Sequence, residues 1–247
     1  MSRLLIALSA SSLLLLVPAA LAGAWDDFET YPLGSLDGQT SPGGIHWSKT
    51  SLVGFEDAFA AVPGYNSAQS GRWDVQDLSG VSLGDDMTAS FAPIGPQIVV
   101  SAWTYSFLGV DPLYPGRRTG EFSVLDDPVF GDAVGLRWLP NGMMGDTFGN
   151  VSAIPYLNAQ WVPIEIGIDY AAGEYWMLYG GALVSGGALP FVSQLGEASA
   201  LNIFLETVSL DLVPNPNDAL HVDGVRAIPE PAALVLAVLG AALLRRR

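Results

Sequence analysis

Two carboxylates on one alternating stretch, Glu165 and Asp169, are the residues of this 247-residue chain whose type and spacing come nearest to acid–base work on a glycosidic bond. In Trp161 to Tyr170 the isoleucines Ile164, Ile166 and Ile168 alternate with Glu165, Gly167 and Asp169, which places one row in a core and the other in solvent. Four residues of strand span about 13 Å, beyond the roughly 5 to 9.5 Å between the carboxyl groups of retaining and inverting glycosidases. The pair therefore reads as a solvated strand face. His46 and His221 stand apart from each other and from any cluster of metal ligands, and read as ordinary polar positions. The chain has no cysteine, so thiolate nucleophiles, disulfides and zinc–thiolate sites are excluded. HExxH and phosphate-cradling glycine loops are also absent, and no enzyme activity is expected.

Two binding roles remain. Asp26, Asp27 and Glu29 lie near the start of the chain and Asp223 near its end. If the first and last strands of a sandwich pair, Asp27, Glu29 and Asp223 would bring hard oxygen donors together for a structural Ca²⁺, with Asp26 pointing away. The alternative is solvated edge-strand charge. The pairs Asp85-Asp86 and Asp126-Asp127 read as turn residues. Of the tryptophans Trp25, Trp47, Trp73, Trp103, Trp138, Trp161 and Trp176, most belong to a core, because strands favour aromatic residues. Trp47 and Trp73, set among Gly, Ser and Asp, are expected on loops as exposed glycan-binding platforms.

The elements that position these residues read as all-β. Gly and Pro punctuate the middle of the chain every eight to fifteen residues, and the pieces between are rich in Val, Ile, Trp, Tyr and Phe. That pattern predicts an antiparallel β-sandwich. Its expected strands are Ser51 to Phe55, Asp86 to Phe91, Ile98 to Phe107, Gly120 to Leu125, Ala133 to Leu139, Trp161 to Tyr170, Glu174 to Tyr179, Ala182 to Val184, Leu201 to Thr207 and Leu220 to Ala227. Gly180-Gly181 predicts a two-residue hairpin turn, since paired glycines supply positive φ.

Both ends read as addresses. Residues 1–24 carry Arg3, an apolar run from Leu4 to Leu21 and small-residue steps, the pattern of a secretory signal peptide cleaved by signal peptidase after Ala22 or Ala24. Residues 228–247 carry Pro229, Glu230 and Pro231, an apolar stretch over 232–244, and Arg245, Arg246 and Arg247. Thirteen residues cover only about 20 Å as a helix, short of the roughly 30 Å hydrocarbon core. The terminal arginines nevertheless favour a transmembrane helix held by the positive-inside bias over a buried core helix. Pro-Glu-Pro, apolar helix and Arg cluster together resemble the PEP-CTERM sorting signal of Gram-negative bacteria. That resemblance implies transit through the inner membrane, removal of the tail by an exosortase, and delivery to the cell surface or an exopolysaccharide matrix.

Residues 25–227 form the domain. Removing the addresses takes Arg3 and the three terminal arginines from the ten basic residues and only Glu230 from the 25 acidic ones, leaving 24 acidic against 6 basic and a formal charge of −18. Such a surface repels nucleic acid and anionic membranes and suits neutral glycans or calcium. The stretches WDDFETYPLGSLDGQ, VPIEIGIDYAAGEYWMLYGGALV and HVDGVRAIPEP resemble the concanavalin A-like or laminin-G-like jelly roll. That resemblance implies a sandwich that binds carbohydrate. The expectation is an exported, non-enzymatic β-sandwich with a structural or polysaccharide-binding role. The alternative is a secreted polysaccharide hydrolase or lyase on the same fold.

Overall fold

The computed structural model describes residues 23–49, 55–56, 58–74, 84–108, 120–126, 133–189, 196–206 and 219–230. These form two packed sheets and contain no helix, and so none long and apolar enough to cross a membrane. The first sheet runs in the order β15 (Ala182–Ala188), β14 (Glu174–Tyr179), β13 (Trp161–Asp169), β8 (Gln97–Phe107), β17 (Ala219–Pro229), β6 (Ser70–Asp74), β5 (Phe59–Ala61) and β2 (Gly34–Ser35), with β1 (Ala24–Asp26) paired to β17. The second runs β12 (Val151–Pro155), β11 (Met143–Asp146), β10 (Ala133–Trp138), β9 (Gly120–Leu125), β16 (Ala198–Glu206), β7 (Gly84–Ile94) and β3 (His46–Lys49), with β4 (Phe55–Glu56) on β7. Every pairing between these strands is antiparallel except β4 with β7.

The strands follow the two-residue period of their sequence. Along β8, Ile98, Val100, Ala102, Thr104 and Ser106 are buried while the residues between them face outward. On β13 the expected row of Ile164, Ile166 and Ile168 enters the core. Gly180 and Gly181 take φ of 59° and 79° and close the hairpin between Tyr179 and Ala182. Aromatic rings join the sheets: Trp47 of β3 meets Trp73 of β6 with ring centroids 5.6 Å apart, Trp138 of β10 meets Tyr179 of β14 at 6.3 Å, and Phe148 after β11 meets Tyr175 of β14 at 5.0 Å. At the β15 edge, Asp146 of β11 accepts a hydrogen bond from Ser185 across the gap between the sheets.

Several positions differ from the sequence expectation. Trp47 and Trp73 lie on strands, not loops, and both are 0% exposed. Gly71 lies against the rings of both Trp73 and Phe28: a Cβ there would stand 2.6 Å from the first and 2.8 Å from the second. Gly71 thus makes room for bulky rings instead of marking a turn. Asp85 and Asp86, expected in a turn, are buried in β7, where Asp85 accepts the Asp74 amide at 2.7 Å and Asp86 accepts the Asn202 amide nitrogen at 2.7 Å. Asp126 does lie in a bend just after β9, where it is buried; Asp127 lies outside the described residues. Most of the expected strand Ser51 to Phe55 does too, as do residues 1–22, Pro231, the 232–244 helix and Arg245 to Arg247.

Asp26 points away from Asp27 and Glu29, turned into the core, and is 1% exposed. Its carboxylate accepts hydrogen bonds from the Phe28 amide at 2.8 Å, the Trp47 indole nitrogen at 2.6 Å and the Tyr31 hydroxyl. Burial, the largest influence, raises its pKa above 3.8, while the three donors act the other way. Replacing Asp26 by Ala strands these donors in the core and should lower unfolding free energy by about 3 kcal/mol, whereas Asp27→Ala should stay within about 0.5 kcal/mol. Urea denaturation of both variants checks this; equal losses would show that the inward carboxylate is not the anchor.

Candidate functional site

The outer face of the first sheet carries a band of aromatic side chains. Strand alternation places Trp25 of β1, Trp103 and Tyr105 of β8, Trp161 of β13 and Trp176 of β14 on this face, all at least partly exposed. Trp25 is 41% exposed. The registers Tyr105↔Trp161 and Tyr105↔His221 bring three rings into one row. Tyr105 lies 5.6 Å from Trp161 and 5.8 Å from His221 between ring centroids. One step along β8, Trp103 is covered by Tyr65 from the loop before β6, the rings stacked 3.7 Å apart and 16° from parallel.

That loop is tied down by two carboxylates. Asp223 accepts hydrogen bonds from the Tyr65 amide and the Ser67 hydroxyl, both at 2.6 Å, and from the Gly224 amide at 2.7 Å. Glu29 accepts the amides of Ala68 and Gln69, each at 2.8 Å. Burial raises the Asp223 pKa above its ordinary value against the influence of its three donors.

A bulge sets the next row. Between Asp223↔Trp103 and Arg226↔Ser101, β17 spends three steps where β8 spends two, and Gly224 takes φ of 59°. The extra residue lets both Asp223 and Arg226 face outward. Registers then align Trp25, Arg226, Ser101 and Glu165 across four strands. Tyr65, Trp103, Ser101, Glu165 and Arg226 line a cleft of about 470 Å³. Neither Glu165 nor Arg226 has an ion-pair partner among the described residues; the ion pairs there are Arg72–Asp74 at 3.0 Å and Arg137–Glu121 at 2.8 Å.

The sequence candidates divide against this geometry. First and last strands do pair, Ala24 with Ala227 and Asp26 with Val225. Asp27 is half-buried, Glu29 exposed and Asp223 buried, and the last two cap the Tyr65 loop. No group of three or more His, Asp or Glu side chains able to hold a metal occurs among the described residues. Trp47 and Trp73 present no ring face to solvent, which corrects the expectation of platforms there; the exposed indoles are on the opposite side of the first sheet. His46 opens β3, and its Nδ1 lies 2.8 Å from the Thr40 hydroxyl. Glu165 faces the cleft, while Asp169 is held by Gln97 at 2.5 Å and the Ala172 amide at 2.8 Å, the amide being the largest influence that lowers its pKa. Ala24 lies within β1 and Pro229 within β17, and the Glu230 amide donates to the Gln97 carbonyl at 3.1 Å. Sequence reasoning missed the Tyr65–Trp103 stack and Arg226; the alternation of β8 carried the signal for Trp103, whereas the β17 bulge had none beyond Gly224.

No protein-family model and no curated protein sequence gives a significant match to the chain. Solved structures do resemble it. A sialidase aligns with a TM-score of 0.55 at 11% identity over 84% of this chain, which spans 18% of that protein. An alginate lyase solved with an alginate tetrasaccharide aligns at 0.50 and 14% identity, over 84% of this chain and 97% of its own. Lectin II from Ulex europaeus aligns at 0.50 and 9% identity, over 83% and 97%. At such identities the likeness shows the fold alone, and the fold is the concanavalin A-like jelly-roll sandwich.

His221 gives the site a pH signature. Burial first, and the Arg72 charge second, lower its pKa from 6.5 to about 4, and its Nδ1 lies 3.1 Å from the Ser70 hydroxyl. A depressed histidine contributes stability above pH 6.5 that is lost as pH falls through about 4, here on the order of 3 kcal/mol. Asp26 and Asp223, with raised pKa values, act in the opposite sense, their contribution growing as pH falls towards 3.8. The difference in unfolding free energy between wild type and His221→Gln should therefore shrink between pH 6.5 and 4. A pH-independent difference would contradict a buried neutral imidazole.

Proposed function

We propose that this domain binds a glycan, without turning it over, on the outer face of the first sheet. The observation that carries the reading is the partition of the tryptophans: Trp47, Trp73 and Trp138 fill the core, whereas Trp25, Trp103, Trp161 and Trp176 share one sheet face with a cleft lined by Ser101, Glu165 and Arg226. A pyranose offers an apolar C–H face to an indole and a rim of hydroxyls to a hydroxyl, a carboxylate and a guanidinium, and this cleft supplies all of them. An acid pair for hydrolysis is missing from it among the described residues. Asp169 is about 13 Å along the strand from Glu165 and already bonded, and Asp223 is committed to the Tyr65 loop. The folds of a lectin and a polysaccharide lyase among the structural likenesses are compatible with either binding or turnover.

We place this binding module outside the cell. The tail resembling PEP-CTERM would be removed by an exosortase near Pro229-Glu230-Pro231, and the leader by signal peptidase. Cleavage after Ala22 leaves β1 whole, whereas cleavage after Ala24 would remove its first, buried residue. Secreted protein should therefore begin at Gly23 and lack Arg245 to Arg247 by intact mass; retention of the arginines in the inner membrane would make the tail a permanent anchor.

Binding is tested by calorimetry against a panel of soluble polysaccharides. Trp103→Ala should weaken the best ligand about tenfold or more, with Lys49→Ala on the second sheet as an unaffected control. Release of product, abolished by Glu165→Gln, would replace this reading by a polysaccharide-active enzyme.

A further inference from the structure

A second aromatic position on the same face defines the kind of glycan. Trp176 of β14 pairs with Gly167 of β13, and its indole fills the space above that glycine: a Cβ at position 167 would stand 2.1 Å from Cε2 and 2.4 Å from Nε1. Only glycine at 167 lets the ring lie there, so one side of the indole is backed by the sheet and the side chain stays partly exposed. Three carboxylates, from Asp169, Glu174 and Glu230, line the cleft around it, together with Tyr175 and no Lys or Arg. Among the described residues no ion pair neutralises any of the three.

Registers fix where this platform stands relative to the first. Trp103 pairs with Pro163 and Trp176 with Gly167, so the two indoles are four residues apart along β13 and two strands apart across it. That is about 16 Å along a diagonal of the sheet. A disaccharide cannot reach from one to the other, whereas an extended oligosaccharide can, passing over Ser101 and Glu165.

We propose that Trp176 is a second sugar subsite, and that the ligand is an uncharged oligosaccharide longer than a disaccharide, lying diagonally from the Trp103 cleft to Trp176. Hydroxyl groups donate hydrogen bonds to the surrounding carboxylates, whereas a uronate or sulfated sugar would meet three negative charges there and a domain of formal charge −18 overall. The inference rests on the glycan-binding reading of the Trp103 cleft.

Calorimetry with cello-, laminari- and manno-oligosaccharides of two and six residues, and an alginate hexamer as the anionic comparison, tests it. At least one neutral hexamer should bind about tenfold or more tighter than its dimer, and Trp176→Ala should erase most of that difference while leaving dimer affinity unchanged. Because Trp176→Ala uncovers Gly167, Glu174→Lys, an exposed change, serves as the second variant; it removes one hydroxyl acceptor and should weaken the neutral hexamer, leave dimer affinity unchanged and raise affinity for the alginate hexamer. Equal affinities for dimer and hexamer, or no effect of Trp176→Ala on a hexamer that Trp103→Ala weakens, would overturn the subsite and leave the first cleft standing. Wild-type preference for the alginate hexamer would overturn the neutral class, and binding of no oligosaccharide would overturn both readings.

Discussion

The arrangement depends on one buried carboxylate. Asp26 takes hydrogen bonds from Trp47, Tyr31 and the Phe28 backbone, so Trp47, one of the largest rings of the core, and Tyr31 are oriented by a single acceptor set beside them. A buried carboxylate is tolerated only when its oxygens are satisfied, and this one is satisfied by groups that would themselves be costly to bury unpaired. Because neighbouring strand residues face opposite ways, fixing Asp26 inward fixes Trp25 outward, beside Arg226. A core interaction thereby sets one edge of the proposed binding face.

The remainder of that face follows from the same alternation and from one departure from it. On β8, alternate residues put Trp103 and Tyr105 outside as surely as they put Ala102 and Thr104 inside. The bulge at Gly224 then shifts β17 by one residue, which brings Asp223 under the Tyr65 loop and Arg226 into the cleft. Without the extra residue, one of the two would point into the core. A non-glycine residue there would have to hold a positive φ, at a cost of roughly 1 to 2 kcal/mol.

Legibility in the sequence tracked the length of the strand. Long alternating strands such as β8 and β13, and the Gly180-Gly181 hairpin, could be read directly, because period and turn chemistry are local properties. Short strands could not: β3 and β6 hold four and five residues, and Ser48, Ser70 and Gly71 look like loop composition, although Gly71 serves as space for Trp73. The site was harder still. The polar neighbours of Trp47 and Trp73 suggest exposure, yet exposure is decided by which sheet face a residue occupies and by what packs over it, both long-range facts. The Tyr65–Trp103 stack joins residues whose contact depends on Asp223, far along the chain, and nothing within either segment announces it. The pairing of the first and last strands was legible as a general tendency of sandwiches, but the hydrogen bonds that Asp26 accepts were not.

The central claim is that exposed and buried indoles divide between a glycan-binding sheet face and a core. The most direct test is an NMR titration of the folded domain, following the seven tryptophan indole N–H signals while a neutral hexasaccharide is added. Shifts are expected at Trp103 and Trp176, with Trp47, Trp73 and Trp138 unmoved. Shifts at Trp47 and Trp73 with Trp103 and Trp176 silent would contradict it.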